Sequence, residues 1–349
     1  MSACFGRDNT AGRSSRREEA EPEVNVAAQP RHLGCYDAAR ISTASIRLCL
    51  AFLLGCASVA VATTPGELVV AGPRPSYTDK TLSAVPNAAA LRVRCWSPRL
   101  DDGFVPQGIA LDGDRALVVA YRSADEKNAF GPSRVFAVDP STGAVSASFA
   151  LPEEFAHPGG LARDGATLYV VNFGTLLRVD LARSLASGRA VITGRRAVAK
   201  PMGPSFVTFH EDALWFGCFV REAAAAPRLY RVPIERIFGA RNLPPLDPRD
   251  ATHSLPLPVL AQGVAFDGRG RLWVSASLQK EGWLYQLALD DGRVLARHAM
   301  PAGIEGLVQA GADRLWSIGE CGTRRWLSSP TFFPVIFEID LAALKPERR

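Results

Sequence analysis

Lysine is scarce in this sequence: five lysines stand among 40 basic residues, and no Lys/Arg run exceeds two. Nucleic-acid-binding surfaces cluster their positive charge, so a net charge of +5 spread this thinly argues against that class. The preference for arginine fits a GC-rich, bacterial coding sequence. No apolar run reaches the ~20 residues of a membrane-spanning helix. Motifs that announce a chemistry are missing too: there is no G-x-S-x-G, no Walker loop, no H-E-x-x-H and no C-x-x-C. Of seven cysteines, Cys4, Cys35, Cys49 and Cys56 fall in the first 62 residues, which leaves Cys95, Cys218 and Cys321 beyond them. An odd number allows one pair at most.

What is present begins with an address. Residues 1–44 mix Arg, Glu, Ser and Pro without periodicity and bury too little apolar surface to fold, so they read as a disordered or mis-assigned extension. In the second case translation starts nearer Ile41. Residues 45–62 follow as a signal peptide: Arg47, then an apolar run of 15 residues ending in Ala60-Val61-Ala62. The expectation is export to the periplasm or outside the cell. Leu53-Leu54-Gly55-Cys56 also resembles a lipobox, which makes a lipid anchor on Cys56 the alternative. Residues 63–90, rich in Pro, Ala, Gly and Thr, form a linker or arm.

From residue 91 to 345 the chain repeats itself. A small residue opens a short apolar strand, a turn such as Asp112-Gly113 closes it, and a second strand begins with Leu and an aromatic or Val. The repeats start at 108, 160, 205, 263 and 306. Four strands in each 43 to 58 residues describe the blade of a propeller. The expected fold is therefore all-β, a five-bladed β-propeller, with six blades as the alternative. The fifth repeat lacks an outermost strand, and residues 91–96, stranded before the first repeat, are the natural donor. Leu214-Trp215, Leu272-Trp273 and Leu315-Trp316, with Leu168-Tyr169 in the same slot, should pack blade on blade.

Strand polarity then selects a face. The openings of the innermost strands and the loops after the second strands share one side of the disc, where loops 122–133, 220–227, 277–282 and 320–334 are long. Loops held by a rigid scaffold carry function. The openings place Gln107, His157 (or Gly159), Ser205, Gln262 and Glu305 at the mouth of the central channel. The second strands add Tyr121, Asn172 and Glu320. Glu305 or His157 could serve as a general base, with Gln107, Tyr121, Asn172, Ser205, Gln262 and Glu320 binding a ligand. The same groups could instead satisfy buried backbone and water. Asn172, Glu305 and Glu320 offer oxygen to a divalent cation such as Ca²⁺. Cys95 and Cys321, on the donated strand and in the blade it completes, are expected either to form a disulfide or to remain buried thiols.

The segments P-Q-G-I-A-L-D-G at 106–113 and A-Q-G-V-A-F-D-G-R-G-R-L-W-V-S at 261–275 resemble the repeats of the NHL, SMP-30/gluconolactonase and strictosidine-synthase-like propellers. The likeness covers residues 91–344. Lactonases of that group bind a divalent metal through acidic and Asn residues at the pore, and Gln107 stands where they carry Glu. Residues 104–109 and Ile304-Glu305-Gly306-Leu307 are also similar to motifs of the five-bladed glutaminyl cyclotransferases. The leading expectation is an exported, monomeric propeller that binds a small molecule, a glycan or a peptide on its loop face. A lactonase- or esterase-like hydrolase or a glutaminyl-cyclotransferase-like enzyme is the second reading. The third is a protein-interaction scaffold, which requires Pro-rich residues 243–258 to form an exposed apolar patch.

Overall fold

The computed structural model describes residues 69–240 and 242–347; the expected extension, the signal peptide and Cys56 lie outside them. The first described strand, β1 (Leu91–Trp96), is not part of the first blade. Blade one runs outward from the channel through β2 (Phe104–Asp112), β3 (Arg115–Arg122), β4 (Ser133–Val138) and β5 (Val145–Ala150). Blade two follows as β6 (Gly160–Asp164), β7 (Thr167–Asn172), β8 (Thr175–Asp180) and β9 (Val191–Ala197), and blade three as β10 (Phe206–His210), β11 (Ala213–Gly217), β12 (Arg228–Pro233) and β13 (His253–Pro256). Blade four is β14 (Ala261–Phe266), β15 (Leu272–Leu278), β16 (Glu281–Leu287) and β17 (Val294–Ala299). Blade five holds β18 (Ile304–Gly311), β19 (Arg314–Gly319) and β20 (Val335–Asp340), and β1 pairs antiparallel with β20 as its outermost strand. The protein is a five-bladed β-propeller closed by its own first strand, which covers an edge that would otherwise invite another chain.

The small residue that opens each repeat has a steric cause. Neighbouring innermost strands touch around the whole ring. A Cβ on Gly108 would lie 2.7 Å from Gly160 Cα, and one on Gly306 would lie 2.8 Å from Gly108 Cα. No side chain fits between those backbones. Outward from this ring, apolar clusters fill each gap between blades. Tyr169 packs between blades two and three, Trp215 between three and four, Trp273 between four and five, and Trp316 between five and one. Each buried ring contributes about 2–3 kcal/mol.

Two sequence expectations need correction. Residues 243–258 are not an insertion: they contain β13, and Leu246, Leu255 and Leu257 are buried. Two short helices, α1 (Leu181–Ser187) and α2 (Ile234–Phe238), instead lengthen blades two and three. The Cys95–Cys321 disulfide is absent, because the two side chains leave blade five on opposite sides. Cys95 packs toward blade one with Phe136 and Trp316, whereas Cys321 Sγ lies 3.9 Å from the Gln279 carbonyl of blade four. Both are buried free thiols, pushed up to about 12, chiefly by burial. Residues 69–90 lie along blade five, where Ala71 bridges Cys95 and the Tyr77 hydroxyl donates to the Gly322 carbonyl at 2.6 Å.

Candidate functional site

Three of the channel residues owe their position to one device. The pairing of β2 with β3 slips at Gln107, that of β14 with β15 slips at Gln262, and that of β18 with β19 slips across Glu305 and Gly306. A β-bulge leaves a residue outside the ladder and re-aims its side chain. Here it turns Gln107, Gln262 and Glu305 out of the blade and toward the channel. Serines pin the last bulge from beneath: the Ser275 hydroxyl donates to the Glu305 carbonyl at 2.7 Å and Ser277 to the Ile304 carbonyl at 2.8 Å.

The bulges converge on a carboxyl pair. Glu305 is 1% exposed and Glu320, just past the end of β19, is 8% exposed. The two side chains hydrogen-bond to each other. Gln262 Nε2 donates to Glu305 Oε1 at 3.0 Å, while Trp326 Nε1 and Gln107 Nε2 donate to Glu320 Oε2 at 2.8 and 3.2 Å. Burial, and then the negative charge of Glu320, raise Glu305 well above the usual carboxylate range. Burial raises Glu320 as well, to about 7, with Trp326, Gln107 and Arg325 pulling the other way. Two carboxylates this close do not both ionise, so the pair holds a proton at neutral pH.

His157 joins the pair through Gln107. Its Nδ1 meets the Ala129 carbonyl, its Nε2 lies 3.2 Å from Gln107 Oε1, and its ring stacks on Tyr121 with centroids 4.2 Å apart. Burial, reinforced by Arg325, lowers its pKa to about 4, so the imidazole is neutral at pH 7. A neutral ring has one N–H and here faces two carbonyl oxygens. Turning the Gln107 amide over supplies the missing donor and points Oε1 at Glu320, which then carries the proton. The turn gives up the 2.8 Å contact of Gln107 with the Pro106 carbonyl. Amide orientation and carboxyl protonation are thereby one event.

These groups floor a cavity of about 190 Å³ on the loop face. Gln107, Tyr121, His157, Gly159, Ser205, Gln262 and Glu320 line it, and Glu305 lies beneath through its bonds to Gln262 and Glu320. Asn172 does not join them: its amide turns outward and donates to the Glu154 carbonyl at 2.9 Å, and Phe173 takes the place at the cavity wall. The oxygen set considered for a cation therefore does not converge. Among the described residues no three His, Cys, Asp or Glu side chains are grouped to hold a metal ion.

Sequence reasoning missed Arg325 and Trp326. Both come from loop 320–334, fold over the mouth and line the cavity. Arg325 is 7% exposed, donates to the Tyr121 hydroxyl, and sits 4.5 Å from the Trp326 ring centroid. The length of that loop was the available signal; nothing in the letters Arg324-Arg325-Trp326 distinguishes the buried arginine from its exposed neighbour. Phe173, Phe219 and Arg221 complete the wall.

No family model matches the chain, and no curated protein sequence does. Among solved structures it is similar to the glutaminyl cyclase of Myxococcus xanthus (10% identity, TM-score 0.45, 71% of this chain and 93% of that one). It is also similar to the PQQ-bound aldose sugar dehydrogenase of Streptomyces coelicolor (14%, 0.43, 71% and 97%). A third is the calcium-binding protein regucalcin from Agrobacterium tumefaciens (16%, 0.40, 72% and 94%). At such identities and scores, none of these likenesses assigns this chain an activity.

Proposed function

We propose that this chain is an exported propeller that binds a small molecule in the loop-face cavity. The observation that carries the reading is the cavity itself, where the bulged strands of three blades and the loop 320–334 bring polar, charged and aromatic side chains onto one enclosed space. Enclosed spaces with a few convergent polar groups and apolar walls are the usual form of ligand sites. A scaffold role has less support, since Leu246, Leu255 and Leu257 of the segment 243–258 are buried. Export rests on the signal-like residues 45–62, and N-terminal sequencing of the mature protein checks it: a chain beginning near Thr63 is expected.

A second reading, acid–base turnover, is favoured by the carboxyl pair. Glu320 faces the cavity and changes protonation near neutral pH, so it can take a proton from an attacking water or amine and return it to a leaving group. Glu305, deeper and already protonated, donates to Glu320 and moderates its proton affinity, which burial keeps high. This is a general acid–base role for a lactonase- or esterase-like hydrolase or a glutaminyl-cyclotransferase-like enzyme. A panel of lactones, esters and peptides with N-terminal Gln, run on wild type, Glu305→Gln and Glu320→Gln, separates the two readings. Turnover that both variants leave unchanged rules out the pair, and no turnover on any member favours the binding module.

A further inference from the structure

We propose that the ligand of this cavity carries a carboxylate, and that the Arg325 guanidinium receives it. The inference rests on the small-molecule reading above and names the chemical class.

Three part-buried arginines elsewhere in the propeller have carboxylate partners, while buried Arg196, on β9 and away from this cavity, has none among the described residues. Arg94 meets Glu338 at 2.6 Å, Arg163 meets Asp112 at 2.9 Å, and Arg271 bridges Asp267 and Asp313 at 2.6 and 2.8 Å. Arg325 is more buried than these, yet no carboxylate among the described residues lies within ion-pair distance of it. Its partners are neutral: the Tyr121 hydroxyl on Nη1 and the Glu126 carbonyl, at only 3.5 Å, from Nη2. Nε has no partner at all. The rings of Trp326 and Tyr121, with centroids 4.5 and 5.5 Å from Cζ, shield its faces from water. A buried cation left in this state is costly, and a planar monoanion that accepts two parallel N–H bonds relieves the cost.

The rest of the cavity fits the same occupant. The carboxyl pair on the floor carries too much potential negative charge to welcome a dianion. Arg221 stands at the wall with a second positive charge. At the mouth, Phe130 and Phe173 are 56% and 54% exposed, with ring centroids 6.4 Å apart, and Phe219 faces the same space. Phe173 holds a positive φ of 23°, a backbone state that costs energy in a non-glycine residue and that puts its ring at the mouth. A guanidinium on the cavity wall beside aromatic surface at the mouth suits a small acid with an apolar body.

Matched probes test this on the full chain. Benzoate, phenylacetate and N-acetylglycine, each beside its primary amide and with phenyl phosphate, about half of it dianionic at this pH, are titrated at pH 6 with tryptophan fluorescence and saturation-transfer NMR. At least one acid is expected to bind at least tenfold tighter than its amide and than phenyl phosphate. Arg325→Met should remove that preference, bringing the affinity of each acid to within about twofold of its amide's. Acids and amides that bind equally overturn the carboxylate assignment and leave the small-molecule cavity standing. Stronger binding of phenyl phosphate, or binding by no member, also overturns it. The wild-type acid-to-amide ratio decides the matter even where the Arg325 variant does not fold.

Discussion

The two mouths of the central channel enclose nearly equal spaces, about 190 Å³ on the loop face and 210 Å³ on the turn face. They are lined by the two ends of the same five strands, yet they differ in chemistry. The turn-face mouth is walled by Ile109, Leu111, Leu161, Phe209, Phe266 and Leu307; there Arg163 pairs with Asp112, though its Nε has no partner, and His210 stacks on Phe266 at 3.9 Å. The loop-face mouth buries two carboxyls that share a proton and an arginine with no counter-ion. Burying charge opposes stability, so the end at which the scaffold does it is the one where a ligand is to be sought.

The largest expected contrast is in turnover. On any substrate of the panel that reacts, Glu320→Gln should lower kcat at least ~100-fold, the scale of a lost acid–base group, whereas His210→Gln at the opposite mouth should change it less than twofold. Initial-rate kinetics on both variants measures the difference. Equal losses would erase the distinction between the mouths.

Next comes stability against pH. Glu320 titrates near 7 in the folded chain and near its ordinary value when unfolded, so between those pH values the folded chain holds the extra proton. Stability contributed below that window is lost as pH rises through about 7, by about 3 kcal/mol. Glu320→Gln should shrink this fall in urea-denaturation midpoints taken across pH 4 to 8, leaving the part that belongs to the raised carboxyl of Glu305. His157 acts with the opposite sign. Its folded pKa of about 4 lies below its unfolded one, so its contribution is present above about 6.5 and lost as pH falls to about 4. His157→Gln should flatten that acid limb and leave the neutral limb in place.

Two smaller effects complete the set. Thr208→Val, at the turn-face mouth, should shift unfolding free energy by less than ~0.5 kcal/mol, since nothing buried depends on that hydroxyl. Cys95 and Cys321 should resist a thiol reagent in the folded chain and react once it is unfolded, with no mass change on reduction. A linked pair in non-reducing peptide maps would contradict the placement of the two thiols on opposite sides of blade five.

How much of this was legible in the sequence follows from what each letter constrains. The repeated Gly, the Leu-Trp step and the missing fifth outer strand each answer to one local requirement, so blades and closure could be read directly. Gln107, Gln262 and Glu305 could be placed at the channel because they precede a strand opening, but the bulges that aim them depend on partner strands and leave no letter of their own. Glu320 was visible at the end of a second strand; its pairing with Glu305, on the neighbouring strand of the same blade, was not, because it depends on the bulge just after Ile304. Asn172 obeyed the same rule and was turned away by a local carbonyl. Arg325 and the two thiols failed for a common reason: which side a loop or strand residue faces is settled by the neighbouring blade.

The clasp between β1 and β20 has a consequence for the timing of the fold. Arg94 finds Glu338 at a sequence separation of 244 positions, so the ring has no finished edge until β20 has been synthesised. Contacts of such long range close late, and at ~5–20 residues per second the nascent chain spends many seconds without its fastening strand. A chain that stays open until β20 is made can be threaded through a narrow pore before it locks.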